Sequence, residues 1–165
     1  MKQDACKKIF LESFDAYSDA IFRFCLVKTN NKEIAEDLTQ ETFIRYWQSL
    51  RRGSEMSNTR SFLYTIARNL VIDWYRKHKS ESLEQIMEGG FQVKDTTDTP
   101  ETVASYTEIL TAIDVLDAHD GEVLMLRFVE GMEPKDIALI LNESANTISV
   151  RINRALKRLQ KQLHI

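Results

Sequence analysis

The stretch from Thr147 to Leu163, Thr-Ile-Ser-Val-Arg-Ile-Asn-Arg-Ala-Leu-Lys-Arg-Leu-Gln-Lys-Gln-Leu, constrains this chain more than any other. Ile148, Ile152, Ala155, Leu156, Leu159 and Leu163 recur at steps of three and four, the spacing of one face of an α-helix. Arg151, Arg154, Lys157, Arg158 and Lys161 fall on roughly the opposite side. Such a helix buries one face against a core and offers the other to a polyanion. Charge alone favours a solvated basic helix over nucleic-acid binding, and the preceding segments change that weighting.

Those segments are helical in period as well. The 165 residues hold five Gly and two Pro, too few for a many-turned β protein, and are 43% hydrophobic, enough to bury a core. The expected fold class is all-α, with two small helical domains joined by an acidic linker and a helix-turn-helix in the C-terminal one. The net charge of −3 hides an uneven distribution. Arg60 to Lys79 carries five cations against Asp73 alone. Glu81 to Glu108 carries seven acids against Lys94 alone. From Glu143 onward five Lys and Arg follow a single acid. Local charge of this kind bears on nucleic-acid binding more than the total does.

Cys6 and Cys25 form no Cys-x-x-Cys and have no histidines at zinc-ligand spacing, so no metal or cofactor is expected. No apolar run approaches membrane-spanning length, and the N-terminus has no signal-peptide pattern. A cytoplasmic protein without membrane insertion is the natural expectation.

In chain order, a first helix spans about Asp4 to Lys28, with Ile9, Phe10, Phe14, Tyr17, Ile21, Phe24 and Cys25 as its core stripe. A second starts at Asn30 or Asn31, where Asn30 and Glu33 have the spacing of a capping box, and runs to about Arg51. Ile34, Ala35, Leu38, Thr42, Tyr46 and Leu50 fill its inner face. Its other face mixes Asp37, Gln40, Glu41 and Gln48 with Ile44 and Trp47. An aromatic among polar groups suits a protein-binding surface, and packing of Trp47 on the first helix explains it equally.

Arg51 to Asn58 reads as a turn around Gly53. Thr59, or a residue just before it, caps a third helix to about Lys79. Phe62, Leu63, Ile66, Leu70, Val71 and Trp74 give it a broad buried face, and Arg68, Asn69, Ile72, Arg76 and Lys79 lie on another. Trp74 and Tyr75 suit stacking on unpaired bases, or simply a helix end with a buried Trp.

Periodicity lapses from Ser80 to Thr99, a linker with a short helix at Leu83 to Met87. The domain boundaries expected are 1–80, 81–99 and 100–165. Thr99 and Pro100 open a helix to about Asp117. Asp120 is placed to cap the next, which runs through Val123, Leu124, Leu126, Arg127, Phe128 and Val129 to Gly131. Lys135 to Leu141 is a short helix after Glu133-Pro134, Asn142-Glu143-Ser144 a turn, and Ser144 the cap of the basic helix. Short helix, tight turn and long amphipathic helix match helix-turn-helix architecture, whose second helix enters the major groove. Asn146, Thr147 and Ser149 then stand where base edges are read, with Arg151, Arg154, Lys157 and Arg158 for bases or phosphates.

Taken together the segments resemble a known family. Ala35 to Trp47, Ala-Glu-Asp-Leu-Thr-Gln-Glu-Thr-Phe-Ile-Arg-Tyr-Trp, resembles the polymerase-binding helix of bacterial sigma factors. Phe62 to Lys77 resembles their promoter-melting helix, and Asp120 to Leu159 their C-terminal helix-turn-helix domain. The short, two-domain form is similar to the extracytoplasmic-function group. The resemblance implies a non-enzymatic subunit that binds core RNA polymerase, directs it to promoters and assists melting. It implies polymerase contacts at Asp37, Gln40, Glu41, Phe43, Ile44 and Trp47, with Phe43 partly turned inward. It implies minus-ten contacts in the Arg51 to Asn58 turn, through Arg51, Arg52, Ser54 and Asn58, and along Arg68, Asn69, Ile72, Arg76 and Lys77. For the minus-thirty-five duplex it implies Ser144, Asn146, Thr147, Ser149, Val150, Arg151, Asn153, Arg154, Lys157 and Arg158. An anti-sigma factor covering both surfaces is a further partner the group allows.

The chain departs from the family pattern at Ser149 and Val150, where Lys or Arg followed by Ser is usual. It also has Leu116-Asp117-Ala118-His119 in place of Leu-Pro, and Asn146 in place of a turn glycine. The competing reading is a two-domain helix-turn-helix regulator that acts on duplex DNA without polymerase. An enzyme is disfavoured, because His78, His119 and His164 are scattered and no nucleophile elbow or phosphate-cradling Gly loop is present.

Overall fold

A computed structural model describes residues 1–78, 111, 113 and 116–164, which fall into two compact units. The expected linker, the short helix at Leu83 to Met87 and most of the helix from Thr99 to Asp117 lie outside the described residues. Every described element is helical or a turn.

The first unit is a three-helix assembly of α1 (Lys2–Thr29), α2 (Lys32–Arg51) and α3 (Thr59–His78). No Gly or Pro interrupts α1 over its length. It ends where Asn30 takes the left-handed conformation, φ 51°, and donates its N–H to Leu26 O. Asn31 is extended, and its side chain accepts the Ile34 N–H at 3.1 Å, capping α2. The cap expected at Asn30 therefore lies one residue on, and with Ile34 at the third helical position no capping box forms. Asn tolerates the left-handed region through local hydrogen bonding, so the first Asn closes one helix and the second opens the next.

Asn58, the residue just before Thr59, caps α3, its Oδ1 accepting the Ser61 N–H at 3.0 Å. The three helices bury Ile21, Phe24, Cys25, Ala35, Phe43, Tyr46, Leu63, Tyr64, Ala67, Leu70 and Val71. Tyr46 satisfies its buried hydroxyl on Ser13 Oγ at 2.8 Å. Ile9 and Phe14, expected in the core, are substantially exposed, although this part of α1 lies alongside α2 and Phe14 rests on Phe43. Phe62, Ile66 and Trp74 are only half-buried, and Tyr64 and Ala67 take the central places instead.

The second unit contains α4 (Ala118–Leu124), α5 (Pro134–Leu141) and α6 (Ala145–Leu163). Asp117, not Asp120, caps α4, accepting the Asp120 N–H at 2.9 Å. After Leu124 the helix widens over Met125–Val129 into a π-turn, closed by Glu130 N–H to Met125 O at 3.0 Å. One extra residue in a turn rotates the downstream side chains by about 100°. Phe128 accordingly faces outward instead of joining the core. Pro134 supplies the preset φ at the start of α5. Asn142, left-handed at φ 54°, closes α5 with its N–H on Ala138 O. Ser144 then caps α6 as expected, accepting the Thr147 N–H at 3.1 Å. The left-handed turn residue is thus Asn142, and Asn146 lies inside the first turn of α6. Helix α6 packs on α4 and α5 through Ile148, Ile152 and Ala155, against Val123, Leu124, Ile137 and Ile140.

Candidate polymerase and nucleic-acid interfaces

Three surfaces collect the sequence-derived residues. The first is an open trough of about 750 Å³ between α1 and α2. Gln40, Phe43, Ile44 and Trp47 line it from α2, and Gln3, Asp4, Lys7, Phe10, Leu11 and Phe14 from α1. Phe43 is 3% exposed and lies beneath the trough, not on its rim. Phe14 meets it edge-on at 4.9 Å, and Trp47 meets Phe10 edge-on at 5.4 Å. Such edge-to-face pairs fix the rings in place. Ile44 is 50% exposed above them, with Leu11 and Phe14 also open to solvent. Asp37 is exposed, and Glu41 pairs with Arg45 at 2.9 Å. Trp47 therefore packs on α1, as one of its two readings has it, and the packing builds an apolar floor. Leu11, which the helical period leaves outside the core stripe, also lines the trough, with Phe10 half-buried in it and Phe14 open. The signal was an α1 stripe of Lys7, Phe10, Leu11 and Phe14 carrying more apolar surface than one partner helix covers.

The second surface is the α2–α3 turn with the outward side of α3. Arg51, Arg52 and Ser54 are exposed in the turn, where Gly53 adopts φ 77°, a conformation open to Gly without strain. Asn58 is committed to its capping bond. Asn69, Arg76 and Lys77 are exposed, and Arg68 and Ile72 half-buried beside them. Tyr75, expected as a stacking platform, is tied down: its hydroxyl donates to the Lys28 carbonyl and joins the end of α3 to the end of α1. Trp74 stacks on His78 with ring centroids 5.3 Å apart and touches Tyr75 at 4.9 Å.

The third surface is the N-terminal half of α6. A shallow cavity of about 280 Å³ is lined by Asp120, Asn146, Thr147, Val150, Arg151, Arg154 and Arg158. Asn146, Asn153, Arg154 and Lys157 are exposed, Val150 is open and Ser149 half-buried. The Ser144 and Thr147 hydroxyls bond each other at 2.8 Å, so the cap already uses both groups. Arg151 pairs with Glu143 at 2.9 Å. Arg158 donates to Asp120 and lies 3.6 Å from Asp117. The Asp117 carboxyl is held below the usual carboxylate range, first by the Asp120 backbone N–H and further by Arg158. These acidic partners were not anticipated, since they lie far along the chain from the basic face or in the turn before it.

Neither thiol has the environment of a nucleophile. Cys25 is buried, and burial pushes it up to about 12; Cys6 donates weakly to Leu50 O.

Residues 13–81 match the family Sigma-70 region 2, and residues 106–159 match Sigma-70, region 4. The chain is 30% identical to the extracytoplasmic-function (ECF) RNA polymerase sigma factor SigM of Bacillus subtilis over 150 residues, 90% of this chain and 91% of that one. It belongs to the ECF sigma factors. It is also 29% identical over 161 residues to SigX of the same organism, covering 92% of this chain and 82% of SigX. Among solved structures it is similar to the sigma factor RpoE of Bartonella quintana, crystallised with the anti-sigma factor NepR, at 26% identity and a TM-score of 0.73, covering 96% of this chain and 98% of RpoE.

As an alternative sigma factor, the protein directs RNA polymerase to promoters. Sigma factors are regulatory subunits, and no described helix of this one is long and apolar enough to cross a membrane. The two family matches fall on the unit that carries the trough and on the unit that carries the basic helix, respectively.

Proposed function

We propose that the α1–α2 trough takes the clamp helices of core RNA polymerase. The carrying observation is the arrangement of Ile44, Leu11 and Phe14, open to solvent over a floor of Phe10, Phe43 and Trp47 and flanked by polar Gln40, Asp37 and Glu41. Rigid aromatic anchors inside a polar rim are the anatomy of a protein-binding hot spot. Phe43 supports the floor from below, and the polymerase-facing set extends onto α1.

Residues 1–80 then act as the polymerase and minus-ten domain, 81–99 as linker, and 100–165 as the minus-thirty-five domain. The exposed turn at Arg51, Arg52 and Ser54 receives a flipped base of the minus-ten element. Asn69, Ile72, Arg76, Lys77 and Arg68 line the opened strand. Capture of an extruded base offsets part of the few kcal/mol that unstacking costs. In the second unit α6 enters the major groove, Arg154 and Val150 reading base edges and Lys157 neutralising phosphate. An anti-sigma factor that covers both surfaces would silence the protein; the related RpoE is seen in complex with the anti-sigma factor NepR. The chemistry of RNA synthesis stays with the polymerase; this chain contributes binding and acts in the cytoplasm.

The test is transcription in vitro with core polymerase on a promoter library. Enrichment of one pair of elements at fixed spacing supports the proposal. A chain that bound duplex but failed to co-elute with core polymerase would leave the trough without its occupant and refute it.

A further inference from the structure

Five cations mark the basic side of α6, yet they are not equivalent. Arg151 is engaged by Glu143 at 2.9 Å. Arg154 and Lys157 have no acidic partner among the described residues. Arg158 is held by two carboxylates at the start of another helix. Its guanidinium donates to Asp120 Oδ2 and stands 3.6 Å from Asp117 Oδ2, while Asp117 Oδ1 accepts the Asp120 N–H at 2.9 Å. The carboxylates therefore form one bracket at the start of α4.

Three physical features give the bracket a role. The Asp120 side chain is 8% exposed, and a buried carboxylate requires a charge partner. Both carboxylates engage the Arg158 guanidinium, which leaves less of its charge and fewer of its donors for a DNA phosphate. Arg158, Arg154 and Val150 sit four residues apart on one stripe of α6, so anything that fixes the rotation of Arg158 fixes the other two. Asp120, Arg158, Arg154 and Val150 line the same cavity.

Resting on the reading of α6 as the duplex reader, we propose that Arg158 is a positioning residue and not a DNA contact: locked by Asp117 and Asp120, it sets the rotation at which α6 presents Arg154 and Val150 to the major groove. The bracket couples the start of α4 to the reading edge of α6. It also leaves phosphate neutralisation to the cations outside it.

The experiment uses holoenzyme assembled from the full chain and core polymerase. A randomised duplex library first selects a preferred minus-thirty-five sequence. Affinity for that duplex and for a scrambled one is then measured across a salt series. Each phosphate contact contributes about 0.9 to the slope of log affinity against log salt. Arg158→Gln should leave the slope unchanged and reduce discrimination between the two duplexes several-fold. Lys157→Gln should flatten the slope by about 0.9 and lower both affinities alike. The double variant Asp117→Asn with Asp120→Asn keeps the capping geometry and frees Arg158; its slope should steepen while discrimination falls. If Arg158→Gln does not fold, this double variant carries the test. A slope flattened by Arg158→Gln, with discrimination intact, overturns the proposal by making Arg158 a phosphate contact. An unaltered slope in the double variant, with unaltered discrimination, overturns it as well. If Arg154→Gln also leaves slope and discrimination untouched, the reading of α6 itself falls, a distinct outcome from loss of the bracket alone.

Discussion

Ile44→Ala isolates the polymerase-facing surface from the stability of the fold. Ile44 is 50% exposed in the free chain, so half its apolar surface is already buried against the trough. The substitution removes three carbons, worth roughly 0.8 kcal/mol each when fully buried. If docking buries the exposed half, the loss in binding is about 1.2 kcal/mol, close to an eightfold rise in Kd. The loss in folding stability should be no larger, since no cavity opens beneath a half-exposed site. Leu139→Ala is the matched control: Leu139 is 54% exposed on α5 and lies outside the trough. Titration of labelled core polymerase reads the affinity, and thermal unfolding reads the fold. An Ile44→Ala affinity equal to wild type, or equal losses in Ile44→Ala and Leu139→Ala, would refute the assignment. Leu11→Ala should weaken binding similarly, since Leu11 is open on the facing wall.

Asn69→Ala should slow open-complex formation more than initial promoter binding, read by permanganate reactivity of unpaired thymines; equal opening would count against a role in the melted strand. Ser144→Ala removes the cap of α6 and should cost about 1 kcal/mol in thermal unfolding of the second unit, with helix content otherwise retained. The depressed Asp117 carboxyl stabilises the folded state above its unfolded value of about 3.8, and this contribution disappears as pH falls through the lower folded value. The groups beside it are His119, Arg158 and the Asp120 amide, whose attraction or hydrogen bond favours the ionised form. Asp117→Asn should flatten the acid limb of the second unit's unfolding curve; an unaltered limb would show that the cap does not sense pH.

Much of this protein was readable from local pattern. Helix positions depend on period and caps, and those are short-range: the Ser144 cap and the buried stripe of Ile148, Ile152 and Ala155 need only neighbours within two turns. The errors are equally local where two candidates adjoin. Asn30 and Asn31 both suit a helix boundary, and only the path of the chain between α1 and α2 decides which is left-handed. Asp117 and Asp120 are another such pair.

Period, capping and motif order are properties of the chain, so the helices, the uneven charge and the three motifs were legible before any packing was known. Which side chains remain available was settled by packing alone. Phe43 and Phe14 share a helical apolar pattern, yet packing buries one and leaves the other open. Arg154 and Arg158 are both cations on one stripe, yet Arg158 alone of the two meets carboxylates at the start of α4 among the described residues. Availability depends on contacts between residues distant in the chain, and no local period carries that information.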